Sequence, residues 1–170
     1  MNQIYTIIPV HNCESTIKRA VLSVLEQKNI PEGWNNKVVC VLNNCTDKTL
    51  SVIKEINESH VKKKDLFIIF SEEKGIVPTL NTGIRYCVGD NFYIARQDGD
   101  DCWKPNKLEK QIAFFTANPS IDILGTNINL VNPEDFKDIK STTNYPTEHF
   151  EMLKWLKEAR NPIAHPSVMF

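Results

Sequence analysis

Three aspartates, Asp98, Asp100 and Asp101, follow an apolar run that predicts a β-strand. Residues i and i+2 of an extended segment point to the same side, so the carboxylates of Asp98 and Asp100 are expected to face one point. Like charges so close repel each other unless a cation lies between them. Hard oxygen ligands suit Mg²⁺ or Mn²⁺, which also bind phosphates. The alternative interpretation is a solvated Asp-Gly turn at Gly99.

Two further polar clusters, residues 11–14 and 43–47, also follow apolar runs, at residues 4–10 and 38–42. A strand, a turn and an amphipathic helix recur four times along the chain, which predicts βαβ units. We expect an α/β fold with a mostly parallel sheet and helices on both faces. Since ligands of such sheets bind at the carboxyl ends of the strands, the polar clusters are expected to converge there.

The expected helices follow from apolar spacing and from the residues that begin or end them. The first should span residues 14–28, and the second should start at Thr46 as its N-cap and end near the lysines at 62–64. Gly75 should open the third and Pro105 the fourth. Beyond them we expect a strand within residues 121–131 and a short amphipathic helix around residues 150–156.

Composition narrows the class of protein. The chain has 170 residues, which indicates one domain, and a formal net charge of −1, which argues against nucleic-acid binding by bulk charge. No apolar run approaches the ~20 residues that a transmembrane helix needs, so we expect no transmembrane helix in residues 1–170. Five cysteines without a C-x-x-C pair fit a reduced cytoplasmic compartment better than a zinc site or disulfides.

Several segments, in order along the chain, carry a family resemblance. They are residues 7–12 (I-I-P-V-H-N), 20–27 (A-V-L-S-V-L-E-Q), 43–49 (N-N-C-T-D-K-T), 74–84, 94–101 (I-A-R-Q-D-G-D-D) and 161–170 (N-P-I-A-H-P-S-V-M-F). Taken together they resemble family 2 of the inverting nucleotide-sugar glycosyltransferases, whose fold is called GT-A.

The resemblance implies transfer of a sugar from a nucleoside-diphosphate sugar, with UDP favoured, to an acceptor hydroxyl with inversion. It implies Mn²⁺ or Mg²⁺ as cofactor, and a glycan or a lipid-linked sugar as acceptor. Metal binding is implied for Asp98, Asp100 and Asp101, and donor binding for Pro9, His11, Glu14, Asn43, Asn81, Arg96 and Asp98.

Alternatives stay open at several of these positions. Asn43 stands where many relatives have an acid that binds the base, so the base is uncertain, although an amide can still donate and accept. His11 replaces a usual Tyr, and either fills a turn or stacks on the base. Asn81 either caps a buried turn or contacts the donor. Arg96 either approaches the diphosphate or forms an ion pair with a nearby acid.

An inverting transfer needs a general base. The resemblance implies a carboxylate beyond Phe170, so residues 1–170 are expected to be the nucleotide-sugar-binding part of one catalytic domain, cut short of its acceptor segment. Within the chain the remaining candidates are Glu148, Glu151, Glu158 and His165. The expected location is the cytoplasm, with attachment to the cytoplasmic face of the membrane as the alternative.

Two other functions are compatible with parts of the sequence: nucleotidyl transfer, and binding of metal and nucleotide without transfer. A nucleotidyltransferase would share the sheet and the metal, but it usually has a glycine-rich basic loop after the first strand. The loop here, from His11 to Glu14, has neither glycine nor lysine. A module that binds metal and nucleotide without transfer is the second alternative, and the missing base supports it.

Overall fold

A computed structural model describes residues 2–59 and 65–170. Its main sheet has four strands in the order β3-β2-β1-β4, where β1 is Asn2–Val10, β2 Trp34–Leu42, β3 Leu66–Phe70 and β4 Phe92–Arg96. Every neighbouring pair in this sheet is parallel, as expected. Because Val10 pairs with Leu42 and Leu42 with Phe70, the first three strands end level, and the loops that follow them share one edge.

Helices cover both faces of the sheet, which confirms the predicted architecture. On one face, α1 (Ile17–Leu25), α2 (Thr49–Ser59) and α4 (Lys107–Ala117) pack against alternate residues of β1 and β2, including Ile4 and Ile8. On the other face, α3 (Ile76–Tyr86) packs against the intervening residues, including Tyr5 and Ile7. Gly83 lets α3 approach β1 closely, because a Cβ there would lie 2.6 Å from Ile7 Cγ2.

Three predicted helix starts are wrong. α4 begins at Lys107 rather than at Pro105, and the other two starts lie at the sheet edge. α1 begins at Ile17 rather than residue 14, because hydrogen bonds to Asp47 and Gly99 hold the loop before it. It ends at Leu25, short of the predicted residue 28. α2 begins at Thr49 rather than after Thr46, whose N–H donates instead to Asn12 Oδ1 at 2.8 Å. The carboxylate of Asp47 accepts the Thr49 N–H at 3.0 Å. The predicted role of residues 62–64 lies outside the described residues.

The C-terminal residues form an extended segment that pairs with the outer edge of β4. Residues 168–170 run antiparallel beside it, with Arg96 N–H donating to the Val168 carbonyl at 3.0 Å and Ile94 exchanging two hydrogen bonds with Phe170. The buried amide of Gln111 on α4 donates to the Ser167 carbonyl at 3.1 Å. The one-turn 3₁₀ helix His165–Ser167 therefore lies near the carboxyl end of β4.

The strand expected within residues 121–131 is confirmed as β5 (Asn129–Val131), but it pairs with β6 (Ile139–Thr142) in a separate antiparallel hairpin. The expected amphipathic helix is α5 (His149–Lys157), which buries none of its side chains. Among the described residues, no helix combines the length and apolar character needed to cross a membrane.

Candidate functional site

The loops after β1 and β2 are joined by reciprocal hydrogen bonds between side chains and backbone. Asp47 Oδ2 accepts the Glu14 N–H at 3.0 Å, and Glu14 Oε2 accepts the Lys48 N–H at 2.7 Å. Asn12 makes the matching pair with Thr46. These contacts satisfy backbone donors that would otherwise lack a partner at the start of α2. They therefore fix both loops and occupy one carboxylate oxygen of Glu14.

A cleft of about 640 Å³ opens beside these loops, between the carboxyl ends of β1 and β2 and the N-terminus of α3. Pro9, His11 and Asn43 lie in its lining, so three of the residues expected at the donor site are together. The rest of the lining is Val10, Asn44, Thr46, Lys74, Gly75, Ile76 and Thr79. The cleft combines apolar walls with a few polar groups, as small-molecule sites do.

Asn43 connects the walls of this cleft. Its side chain is 7% exposed, and its Nδ2 donates to the carbonyls of Glu73 at 2.6 Å and Ser71 at 3.4 Å. Its Oδ1 accepts the Gly75 N–H at 3.3 Å. The amide thus uses both its donor and its acceptor to hold the loop between β3 and α3 against the end of β2.

His11 is exposed at the mouth of the cleft. Its Nδ1 lies 2.7 Å from the backbone carbonyl oxygen of Asn43. A carbonyl can only accept, so Nδ1 carries the proton in this contact. In the neutral imidazole Nε2 is then an acceptor, and the ring plane is held beside the cleft.

The three aspartates form one carboxylate cluster. Asp98, Asp100 and Asp101 each place a ligand oxygen within 4.8 Å of the others. The geometry differs from the expected extended segment: the Asp101 N–H donates to the Asp98 carbonyl at 3.3 Å, which makes residues 98–101 a turn. Convergence therefore comes from chain reversal, and the sequence argument from alternating side chains was wrong about its cause.

Burial and repulsion act on this cluster. Partial desolvation raises the pKa of Asp101, and the charges of Asp100 and Asp98 raise it further. Three carboxylates that destabilise each other's charge would be relieved by a cation. Their hard oxygen donors fit Mn²⁺ or Mg²⁺.

Arg96 pairs with the first aspartate of the cluster. Its Nη2 lies 2.7 Å from Asp98 Oδ1, and its side chain is 7% exposed. Of the two alternatives raised from sequence, the ion pair is therefore present. Nε and Nη1 are buried and have no partner among the described residues.

His165 is near the same pair. Burial lowers the pKa of His165, the positive charge of Arg96 lowers it further, and Asp98 acts in the opposite direction. The antiparallel pairing of residues 168–170 with β4 explains how a residue 67 positions after Asp98 comes close to it. From the sequence, His165 is a candidate base or, preferably, a residue that positions the loop beside Pro166, and neither role predicts this proximity.

Four residues expected at the donor site are not in the cleft lining: Glu14, Asn81, Arg96 and Asp98. Arg96 and Asp98 lie at the carboxylate cluster instead. Glu14 is engaged with Lys48, as described above. Asn81 lies exposed in the middle of α3, so its predicted alternative role as a cap of a buried turn is wrong. Lys74 and Thr79 line the cleft but were not predicted as site residues. Gly75, which begins a helix directly after a strand, could have indicated that the N-terminus of α3 forms one side of the cleft.

Comparisons with known proteins agree with this architecture. The "Glycosyl transferase family 2" model matches residues 5–170. WfgD of Escherichia coli, a UDP-Glc:alpha-D-GlcNAc-diphosphoundecaprenol beta-1,3-glucosyltransferase, is 32% identical over 126 residues. That match covers 74% of this chain and 46% of WfgD, so the chain spans less than half of this relative.

Solved structures share the fold. The mannosyltransferase PcManGT from Pyrobaculum calidifontis, in complex with GDP-Man and Mn²⁺, superposes with a TM-score of 0.63 at 24% identity, over 79% of this chain and 37% of that chain. S. aureus TarS 1-349 in complex with UDP superposes with a TM-score of 0.59 at 23% identity, over 72% and 34%. These structures show that the fold is GT-A, and the family model, which covers nearly the whole sequence, shows that the chain belongs to glycosyl transferase family 2.

Proposed function

We propose that this chain binds a nucleoside-diphosphate sugar in the cleft beside β1 and β2, with Mn²⁺ or Mg²⁺ held by Asp98, Asp100 and Asp101. The sugar is then transferred to an acceptor hydroxyl with inversion. The observation that carries the proposal is the presence of the cleft and the carboxylate cluster at the same edge of one parallel sheet. That edge is where α/β folds bind their ligands.

The nucleoside occupies the cleft in this proposal. Pro9, Val10 and Ile76 supply apolar walls, and the ring of His11 is placed to stack on the base. Lys74 is a charged residue in the lining and can donate to an acceptor atom of the nucleotide. Because the Asn43 amide is engaged with the loop before α3, we propose that Asn43 shapes the base site rather than binding the base.

The diphosphate lies toward the carboxylate cluster. When bound, the metal ion supplies charge neutralisation for the departing diphosphate. The ion pair with Arg96 holds Asp98 in place for this role. Gly99 has no side chain, which lets the aspartate turn pack closely against Cys13. WfgD uses UDP-Glc, TarS binds UDP and PcManGT binds GDP-Man, and we propose a UDP-sugar for this chain.

The acceptor and the base complete the proposal. WfgD acts on a sugar linked through diphosphate to undecaprenol, which supports a glycan or lipid-linked sugar acceptor. We propose that this chain works in the cytoplasm or at the cytoplasmic face of the membrane. We propose that the base is a carboxylate outside residues 1–170. Glu148, Glu151 and Glu158 lie at or beside the exposed helix α5, and Glu158 pairs with Arg160 at 3.3 Å.

The test is a thermal-shift panel of UDP, GDP, CDP and ADP, each with and without Mn²⁺. A ligand that binds only the native state stabilises it, by about 2.7 kcal/mol at a concentration 100 times its Kd. We expect UDP to raise the unfolding temperature in the presence of Mn²⁺ and to do so much less without it. If no nucleoside diphosphate shifts the transition under either condition, the proposal fails.

A binding module without transfer is the second candidate, because Glu14 and Asp47 accept backbone hydrogen bonds in the loops beside the cleft and the three clustered aspartates are proposed as metal ligands, so none of these five carboxylates is assigned as the base. Release of UDP from UDP-sugars, measured with and without mixed glycan acceptors, separates the two. Acceptor-dependent release supports the transferase, whereas Mn²⁺-dependent UDP binding without any release supports the module.

A further inference from the structure

The backbone of the aspartate turn is held by Arg19 of α1 and by Thr16, which immediately precedes that helix. Thr16 Oγ1 donates to the Gly99 carbonyl at 2.9 Å, and Arg19 Nη2 donates to the Asp100 carbonyl at 3.4 Å. Neither contact involves a carboxylate oxygen. The positive charge of Arg19 by itself disfavours a cation bound to the three aspartates, so a favourable effect of Arg19 on the metal site would act through its contact with the Asp100 backbone.

The guanidinium of Arg19 is held from its other side by the β5–β6 hairpin. Arg19 Cζ lies 3.8 Å from the centroid of the Phe136 ring, a cation–π contact at short range. Phe136 belongs to the turn between the two strands, which is closed by the Asp138 N–H donating to the Asp135 carbonyl at 2.9 Å.

The hairpin contacts α1 through this turn. Its strands expose their large apolar side chains, since Leu130 is 52% and Ile139 51% exposed, whereas Phe136 is half-buried. The position of the Arg19 guanidinium therefore depends on the position of the hairpin, because Arg19 contacts the hairpin at the Phe136 ring.

We propose that Arg19 is a positioning residue for the metal-binding turn and that Phe136 of the β5–β6 hairpin holds Arg19 in place. The inference rests on the proposed metal site at Asp98, Asp100 and Asp101. Arg19 acts on the backbone carbonyl of Asp100 and contacts neither the metal nor the donor. The hairpin thereby sets the metal affinity of a turn that lies about 35 residues earlier in the chain.

The test measures Mn²⁺ affinity by electron paramagnetic resonance of free Mn²⁺, with and without UDP, in the whole chain. Arg19→Met removes the hydrogen bond to the Asp100 carbonyl at similar side-chain length. Loss of the positive charge alone would strengthen Mn²⁺ binding, so the weakening of about tenfold that we expect would report the lost backbone contact. Phe136→Leu should weaken it about 2- to 5-fold, and Phe136→Tyr, which keeps an aromatic face, should match the wild type. The double variant R19M/F136L should be no weaker than R19M, because both changes remove one contact.

Lys18→Met is the matched control, because Lys18 is an exposed neighbour on α1 whose ion pair with Glu55 is long, at 3.9 Å. The unfolding temperature of each variant without metal is the second readout, and should change little. Unchanged Mn²⁺ affinity in R19M, or fully additive losses in the double variant, would overturn the role of Arg19 and leave the metal site standing. No Mn²⁺ binding by the wild type would instead overturn the metal site, and the role of Arg19 with it.

Discussion

Arg96 donates a 2.7 Å hydrogen bond from Nη2 to Asp98 Oδ1, and the two residues are separated by a single position in the chain. Arg96 ends β4 and is almost fully buried, whereas Asp98 begins the turn and is one-third exposed. The buried guanidinium of Arg96 therefore fixes the position of one carboxylate oxygen of Asp98, the first of the three proposed metal ligands. This pairing also explains why a charged arginine is tolerated inside the sheet edge, since buried charges need a partner.

Asparagine variants of the cluster separate its structural and binding roles. Asp98→Asn and Asp100→Asn should both abolish Mn²⁺-dependent UDP binding, because each removes a carboxylate ligand. Asp98→Asn should also destabilise the fold by about 1–2 kcal/mol, since it removes the anionic partner of Arg96. Asp100 is exposed, so its variant should keep the stability of the wild type.

Calorimetric titration with UDP and Mn²⁺, together with urea unfolding, measures both effects. Asp122→Asn, at an exposed position after α4, is the control and should change neither. Normal Mn²⁺-dependent binding in both cluster variants would mean that residues 98–101 are only a solvated turn.

Asn43→Asp distinguishes a residue that shapes the cleft from one that binds the base. The substitution removes the donor that the Ser71 and Glu73 carbonyls share and places a carboxylate against them. We expect a loss of about 2–3 kcal/mol in the free energy of unfolding, from unsatisfied buried groups, and weaker UDP binding. If the new carboxylate at position 43 bound uracil directly, UDP binding would instead become tighter.

The control is Asn81→Asp, the same change at an exposed position of α3 outside the cleft lining. It should leave both UDP affinity and stability close to those of the wild type. Tighter UDP binding by Asn43→Asp with unchanged stability would show that the residue lies against the base.

Local patterns were enough to predict the strands, the helices and the shared edge, because apolar spacing is set by the sheet and helix periods. The same patterns could not predict the exact helix starts, since Asn12, Asp47 and Thr49 exchange hydrogen bonds between loops more than 30 residues apart. The hairpin was half predicted: β5 lay in an apolar run, but β6 (Ile139–Thr142) lies in a polar segment.

The site shows the same division. The aspartates and the cleft residues His11 and Asn43 were found because they follow apolar strands. Arg19 was missed because its partners come from elsewhere in the chain: the Asp100 carbonyl and the Phe136 ring become neighbours only after packing. A residue that acts through contacts distant in sequence leaves no local pattern.

Gly99→Ala tests the fit between the aspartate turn and the loop after β1. A Cβ at this glycine would lie 2.9 Å from Cys13 Sγ, too close for an unstrained contact. We expect a loss of about 1–3 kcal/mol from overpacking, together with weaker Mn²⁺ binding as the turn shifts. Cys13→Ala in the same chain removes the sulfur and should restore most of both losses, while Cys13→Ala alone should change Mn²⁺ binding little. Equal losses with and without Cys13 would show that backbone conformation, rather than this contact, requires glycine.

Lys107 makes stability depend on pH in a direction that can be tested. Burial lowers the pKa of Lys107 to about 7, while its Nζ lies 3.8 Å from the centroid of the Trp103 ring and 2.7 Å from Gln111 Oε1. The ring favours the charged amine and so opposes the effect of burial.

An unfolded lysine titrates near pH 10.4, so between about pH 7 and pH 10 the unfolded chain binds more protons than the folded one. The free energy of unfolding contributed by Lys107 should therefore rise across this range and stay constant below it. Urea unfolding at pH 6.5, 8 and 9.5 measures this, and the difference between the wild type and Lys107→Met isolates the contribution from other groups. Lys110→Met, an exposed change on the same helix, should give a parallel profile to the wild type. A difference between wild type and Lys107→Met that does not change with pH would show that Lys107 keeps its charge and an ordinary pKa, held by Trp103 and Gln111.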